Sequence, residues 1–172
     1  MSVVLVERSF AEPVRFEAVQ ALEDRAAGCF EAYDVRFLRS YFSRDRRRMI
    51  CLYEAVDADV VRHVQEKATL PFERVWTASV LRHAGADAEG EAVLVERTFD
   101  RQLGESALRD TAVRSAGCCE ARGCRPVTTY LSADGRRATC VFEAPDAESV
   151  REAQQRAGLP FDRAWTATIH EP

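Results

Sequence analysis

The sequence predicts two tandem α+β units, each of order βαββαβ, that bury one sheet against the other. Three observations carry this expectation. The chain repeats itself, each copy alternates strand and helix patterns in the same order, and the strands are apolar on both faces.

The repeat comes first. A constant offset of 89 residues aligns Val4–Leu81 with Val93–His170 without a gap. Nearly half of the aligned positions are identical, far more than chance allows. Val4-Leu5-Val6-Glu7-Arg8 returns as Val93-Leu94-Val95-Glu96-Arg97. So long a period, in only two copies, reads as two small domains rather than a solenoid. The expected boundaries are residues 1–82 for repeat 1 and 92–172 for repeat 2. Residues 83–91, rich in Ala, Gly and acid, form a polar linker between them.

Within one unit the first strand runs over about residues 3–10. A helix follows, its apolar stripe marked by Phe16, Val19, Leu22, Ala26, Cys29 and Tyr33. The stripe is thinner in repeat 2, at Leu103, Leu108, Thr111 and Cys118. Residues 35–43 and 48–54 then read as a hairpin. Repeat 2 turns through Asp134-Gly135, a strong tight-turn signal, and repeat 1 through the solvated Arg44-Asp45-Arg46-Arg47. Asp57 and Asp146 stand as N-caps of a second helix. Gly158 stops that helix in repeat 2, and Pro71 and Pro160 prevent its continuation. The last strand holds Trp76 or Trp165. This order is the ferredoxin-like split βαβ unit, with the first strand between the third and fourth.

Helices cover only one face of such a sheet, yet both faces are apolar. Phe37 and Tyr41 are expected on one face and Leu38 and Phe42 on the other; Met49, Cys51 and Tyr53 oppose Ile50 and Leu52. An exposed face of this kind would exceed the patch a monomer tolerates. The simplest cover is the sheet of the other repeat, giving a pseudo-dimeric α+β barrel. Further self-association is compatible with this and not required by it.

Composition narrows function. A net charge of −4 argues against a nucleic-acid partner held by phosphate contacts. No apolar run approaches the roughly 20 residues of a membrane helix. Met1–Phe10 is not a signal peptide, so a cytoplasmic location is expected. Six cysteines without a C-x-x-C pair support neither a zinc knuckle nor a thioredoxin motif. No nucleotide-cofactor fingerprint is visible.

The candidate chemistry lies in pairs related by the repeat. Glu7 and Glu96 are carboxylates inside apolar strands, where an unpaired charge is costly. Either they bind a metal, together with Cys51 and Cys140 one strand away, or each pairs with an Arg such as Arg48. The cysteines are equally explained as small buried packers. Tyr41 and Tyr130 would be acid or hydrogen-bond groups in an enzyme, or strand aromatics with one wet end. Cys118, Cys119 and Cys124 cluster in repeat 2, where a redox or soft-metal role lacks further ligands.

Several motifs together carry a family resemblance. They are Val6-Glu7-Arg8-x-Phe10, Tyr41-x-Ser43-x-Asp45, Cys51-x-Tyr53-Glu54-Ala55, Cys140-x-Phe142-Glu143-Ala144-Pro145-Asp146 and Ala157-Gly158-Leu159-Pro160-Phe161-Asp162. Over nearly its whole length the chain resembles the small nickel-responsive, nickel-binding ferredoxin-like bacterial proteins. The resemblance implies α+β barrel architecture and binding of nickel or another divalent metal. His63, His83 and His170 do not share matching positions between the repeats. Beside a structural or partner-binding module with no small ligand, two functions therefore stay open. One is a metal-binding or nickel-responsive protein using Glu7, Glu96, Cys51 and Cys140. The other is a cofactor-free barrel enzyme acting on a small hydrophobic molecule between the sheets.

Overall fold

The computed structural model describes residues 1–172. Repeat 1 comprises β1 (Ser2–Ser9), α1 (Phe16–Arg25), α2 (Ala27–Ala32), β2 (Arg36–Ser43), β3 (Arg48–Ala55), α3 (Ala58–Lys67) and β4 (Arg74–Arg82). Repeat 2 comprises β5 (Glu91–Thr98), α4 (Glu105–Glu120), β6 (Arg125–Ser132), β7 (Arg137–Glu143), α5 (Ala147–Arg156) and β8 (Arg163–His170). The strands hydrogen-bond in the order β1-β3-β2-β8-β5-β7-β6-β4, which closes as an eight-stranded α+β barrel. In each repeat the first strand lies between the third and fourth, the ferredoxin-like order.

Two compact units result, Met1–Ala78 with Thr168–Pro172 and Ser79–Ala167. Their boundaries fall inside β4 and β8 rather than in the 83–91 linker. The end of β4 runs on into the second unit, where His83 N–H donates to Val127 O at 2.9 Å. Arg125 holds the linker by donating to Ala84 O at 3.1 Å and Ala86 O at 2.7 Å.

Strand parity sorts the first unit into two buried faces. Val4 and Val6 on β1, and Met49, Cys51 and Tyr53 on β3, pack with Val61 and Val64 of α3. Leu5, Ile50, Leu52 and Tyr41 occupy the opposite face and are also buried. One expectation is corrected here. The register of β2 shifts between Phe37 and Arg39, so Phe37 opposes Tyr53 while Tyr41 opposes Ile50. Phe37 and Tyr41 therefore sit on different faces, because the bulge inserts a residue and reverses the alternation. Repeat 2 carries the same shift, between Pro126 and Thr128.

The caps form as the sequence requires. Asp57 accepts from Val60 N–H at 2.9 Å, and Asp146 from Ser149 N–H at 2.7 Å. The first helix of repeat 1 is broken where one helix was expected. At Ala26 ψ opens to 0°, and shorter i→i+3 bonds, Ala26 N–H to Glu23 O at 3.0 Å and Cys29 N–H to Ala26 O at 2.8 Å, join the regular ladder. In repeat 2 the matching helix α4 continues unbroken for 16 residues.

Candidate functional site

Glu7 and Glu96 are the natural starting point. Glu7 is buried on the face opposite the helices, and its partners come from β4. Trp76 Nε1 donates to its Oε1 at 2.8 Å, and Arg74 Nη1 to its Oε2 at 2.6 Å. Arg74 lies directly across from Glu7 in the β1–β4 register. Glu96 repeats the arrangement: Trp165 Nε1 donates at 2.7 Å and Arg163 Nε lies 3.7 Å away. The partner is thus the Arg of the fourth strand, not Arg48, which opposes Ser9. A carboxylate bound by an indole and a guanidinium is satisfied without a metal.

The structure does not bring Cys51 to Glu7. Cys51 opposes Val6, whereas Ile50 opposes Glu7, so the two side chains leave opposite faces of the sheet. Cys140 likewise opposes Val95 and lies in the second unit's core. Burial pushes the Cys51 thiol up to about 11, against the opposing effect of Arg8, so it is protonated at neutral pH. A metal ligand must be the thiolate. No group of three or more His, Cys, Asp and Glu side chains converges. As they stand, these residues do not fit nickel. Tyr41 does share a face with Glu7: both oppose Ile50 from neighbouring strands. Tyr130 and Glu96 share Thr139 in the same way.

The helix side of the first unit holds a polar network that the sequence did not announce. Arg8 is buried, pointing with Val4 and Val6 toward the helices. Its Nη1 donates to Pro71 O at 2.6 Å, and its Nη2 to Gln65 Oε1 at 2.7 Å. The same Nη2 lies 3.4 Å from both Glu23 and the Tyr53 hydroxyl. Tyr53 O–H in turn donates to Glu23 Oε1 at 2.8 Å. Burial, reinforced by Cys51 and Glu23, holds the Tyr53 phenol well above its usual range, so it stays a donor. The available signal was parity: an Arg at the third position of the Val4, Val6 face, with Gln65 beside Val61 and Val64.

This network floors a pocket of about 410 Å3 among α1, α2, β2 and β3. Phe30 stacks on Tyr53 at 5.5 Å between ring centroids, and Phe37 meets the same ring edge-on at 5.9 Å. Glu23, Asp24 and Glu31 supply carboxylates at its margin. The pocket belongs to repeat 1 alone. At the matching positions of repeat 2, Glu23 becomes Ala112, Phe30 becomes Cys119, Phe37 becomes Pro126 and Tyr53 becomes Phe142.

The remaining candidates have local contacts. His170 stacks on Phe16 at 3.6 Å, His63 contacts the Tyr33 hydroxyl at 3.1 Å, and His83 contacts Thr129 Oγ1 at 3.1 Å. All six cysteines are free thiols. Cys124 donates to Cys119 O at 3.2 Å, and burial beside Cys119 pushes its thiol up to about 12. No helix is long and apolar enough to cross a membrane.

With this geometry in place, the likenesses to known proteins can be weighed. Residues 5–77 and 94–166 each match the family model described as nickel responsive protein SCO4226-like. No curated protein matches the chain in sequence. SCO4226 from Streptomyces coelicolor A3(2) is 17% identical over 47% of this chain and 94% of its own, with a TM-score of 0.39. Chlorite dismutase from Candidatus Nitrospira defluvii, solved with imidazole, is 11% identical over 98% of this chain and 91% of its own, with a TM-score of 0.57. The putative chlorite dismutase TA0507 is 11% identical over 99% of this chain and 94% of its own, at a TM-score of 0.50. At such identities the two dismutases show a shared fold and nothing further. The family model, by contrast, takes in most of both repeats, and so the chain belongs to the nickel responsive protein SCO4226-like family.

Proposed function

We propose that this family member binds a small organic molecule in the repeat-1 pocket. The observation that carries the reading is the pocket itself: about 410 Å3, walled by Phe30, Phe37 and Tyr53, with Glu23 held at its floor. That volume and mixed lining are those of a small-molecule site. Aromatic faces favour a flat apolar body, and a carboxylate favours a cationic end directed toward it. Calorimetric titration of the whole protein with phenethylamine, and with its neutral alcohol counterpart, tests this. The amine is expected to bind saturably, the alcohol more weakly, and Glu23→Gln to weaken the amine about tenfold. Amine binding that is absent, or indifferent to Glu23→Gln, overturns the reading.

The family description supports a second reading, in which nickel is the ligand. The residues proposed for it are Glu7, Glu96, Cys51 and Cys140. Their side chains would have to rearrange, since Glu7 gives both oxygens to Trp76 and Arg74. Elemental analysis of the purified protein decides it. Nickel at defined stoichiometry, lost in Glu7→Gln or Cys51→Ala, favours this reading; no nickel affinity at all removes it.

A further inference from the structure

Arg97 is the repeat-2 counterpart of Arg8, and it is equally buried, with 4% of its surface exposed. Its Nη1 donates to Pro160 O at 2.8 Å and its Nη2 to Gln154 Oε1. Its Nε has no hydrogen-bond partner. No carboxylate forms an ion pair with it, because the position of Glu23 is filled by Ala112 and that of Tyr53 by Phe142. Arg97 lines a small cavity of about 30 Å3, bordered also by Ala112, Ser115, Thr129 and His83 and by the apolar Leu108 and Phe142.

A buried guanidinium without a counter-charge is costly. Repeat 1 meets that cost with a carboxylate; repeat 2 has lost the carboxylate and the phenol and kept a hole. The hole admits one water-sized occupant. Water would leave the charge uncompensated. We propose that the cavity beside Arg97 binds a small monovalent anion of halide size, as the counter-ion of the guanidinium that repeat 2 buries without a carboxylate. The anion lies against Arg97 and stabilises the second unit when bound.

The test compares thermal unfolding of the whole chain in sodium chloride and in sodium gluconate at equal ionic strength, since gluconate is too large to enter. Chloride is expected to raise the midpoint by roughly 2–4 °C. Ala112→Glu, which restores the acid of repeat 1, is expected to abolish that difference. Equal midpoints for the wild type in the two salts overturn the proposal, as does a chloride effect that survives in Ala112→Glu. Crystals of the wild type grown in bromide give a reading independent of whether that variant folds. An anomalous peak beside Arg97 is expected, and water alone at that place overturns the proposal.

Discussion

Arg8 and Arg97 occupy the same place in two copies of one fold, and their surroundings differ by a carboxylate and a phenol hydroxyl. Both reach a proline carbonyl and a helix glutamine. Arg8 in addition meets Glu23 and Tyr53, while Arg97 faces Ala112 and Phe142. The common partners show what the fold needs, an Arg that ties the first strand to the loop after the second helix. The differing partners show what repeat 1 adds, a charged and aromatic floor beneath a pocket. Both copies hold the brace, and only repeat 1 carries the acid, the phenol and the pocket above it.

The sharpest way to break this comparison is to remove each Arg. Arg8→Met strands Glu23 and Gln65 beside an apolar side chain. It is expected to cost about 3 kcal/mol, the lower end for a broken buried pair, because Glu23 retains some solvent contact. Arg97→Met strands Gln154 but no carboxylate, and is expected to cost about 1–2 kcal/mol in lost hydrogen bonds. Chemical denaturation of both variants in low chloride measures the difference. Equal losses would mean that the carboxylate is not what separates the two sites.

How much of this was legible follows from the range of the interactions involved. The repeat, the Asp caps and the ferredoxin-like order rest on local rules, and all are read directly from sequence. Glu7 was legible as an oddity but not in its partner, because Arg74 reaches it only through the register of β1 on β4. Arg8 declares itself only through its parity with Val4 and Val6, which turns it inward. Cys51 was matched to Glu7 by strand adjacency, and a one-residue register difference placed it on the other face. The bulge that parts Phe37 from Tyr41 is marked only in repeat 2, where Pro126 stands inside β6 at the matching shift.

A second comparison concerns the backbone. Asp34, Arg46 and Thr69 adopt positive φ where repeat 2 has Gly123, Gly135 and Gly158. A Cβ at Gly135 would collide with the Leu103 carbonyl. Gly135→Ala should therefore cost roughly 2–3 kcal/mol, combining left-handed strain with overpacking. Thr69, a β-branched residue at φ 54°, ends α3 where Gly158 ends α5 with open space around it. Thr69→Gly should stabilise repeat 1 by about 0.5–1 kcal/mol, the relief of strain exceeding the added chain entropy. Thermal midpoints that move the other way would show that repeat 1 has adapted its backbone to these side chains.

The smallest expected effect lies where the repeats agree. In both hairpin turns a serine hydroxyl donates to an aspartate at 2.6 Å, Ser43 to Asp45 and Ser132 to Asp134. The next backbone N–H but one adds a bond at 3.0 Å, from Arg47 and from Arg136. The serine bond first, then the backbone bond, hold both carboxyls below their ordinary range. Each therefore binds a proton less readily folded than unfolded. Its contribution is complete above the ordinary carboxylate value of about 3.9 and is lost as pH falls through the lowered folded value. Because both turns are exposed, the loss is modest and screened by solvent. Asp45→Asn and Asp134→Asn should each flatten the acid limb of a stability-against-pH curve to the same small extent. Unequal flattening would extend the divergence of the repeats from their buried Arg sites to the hairpin turns at the same end of β1 and β5.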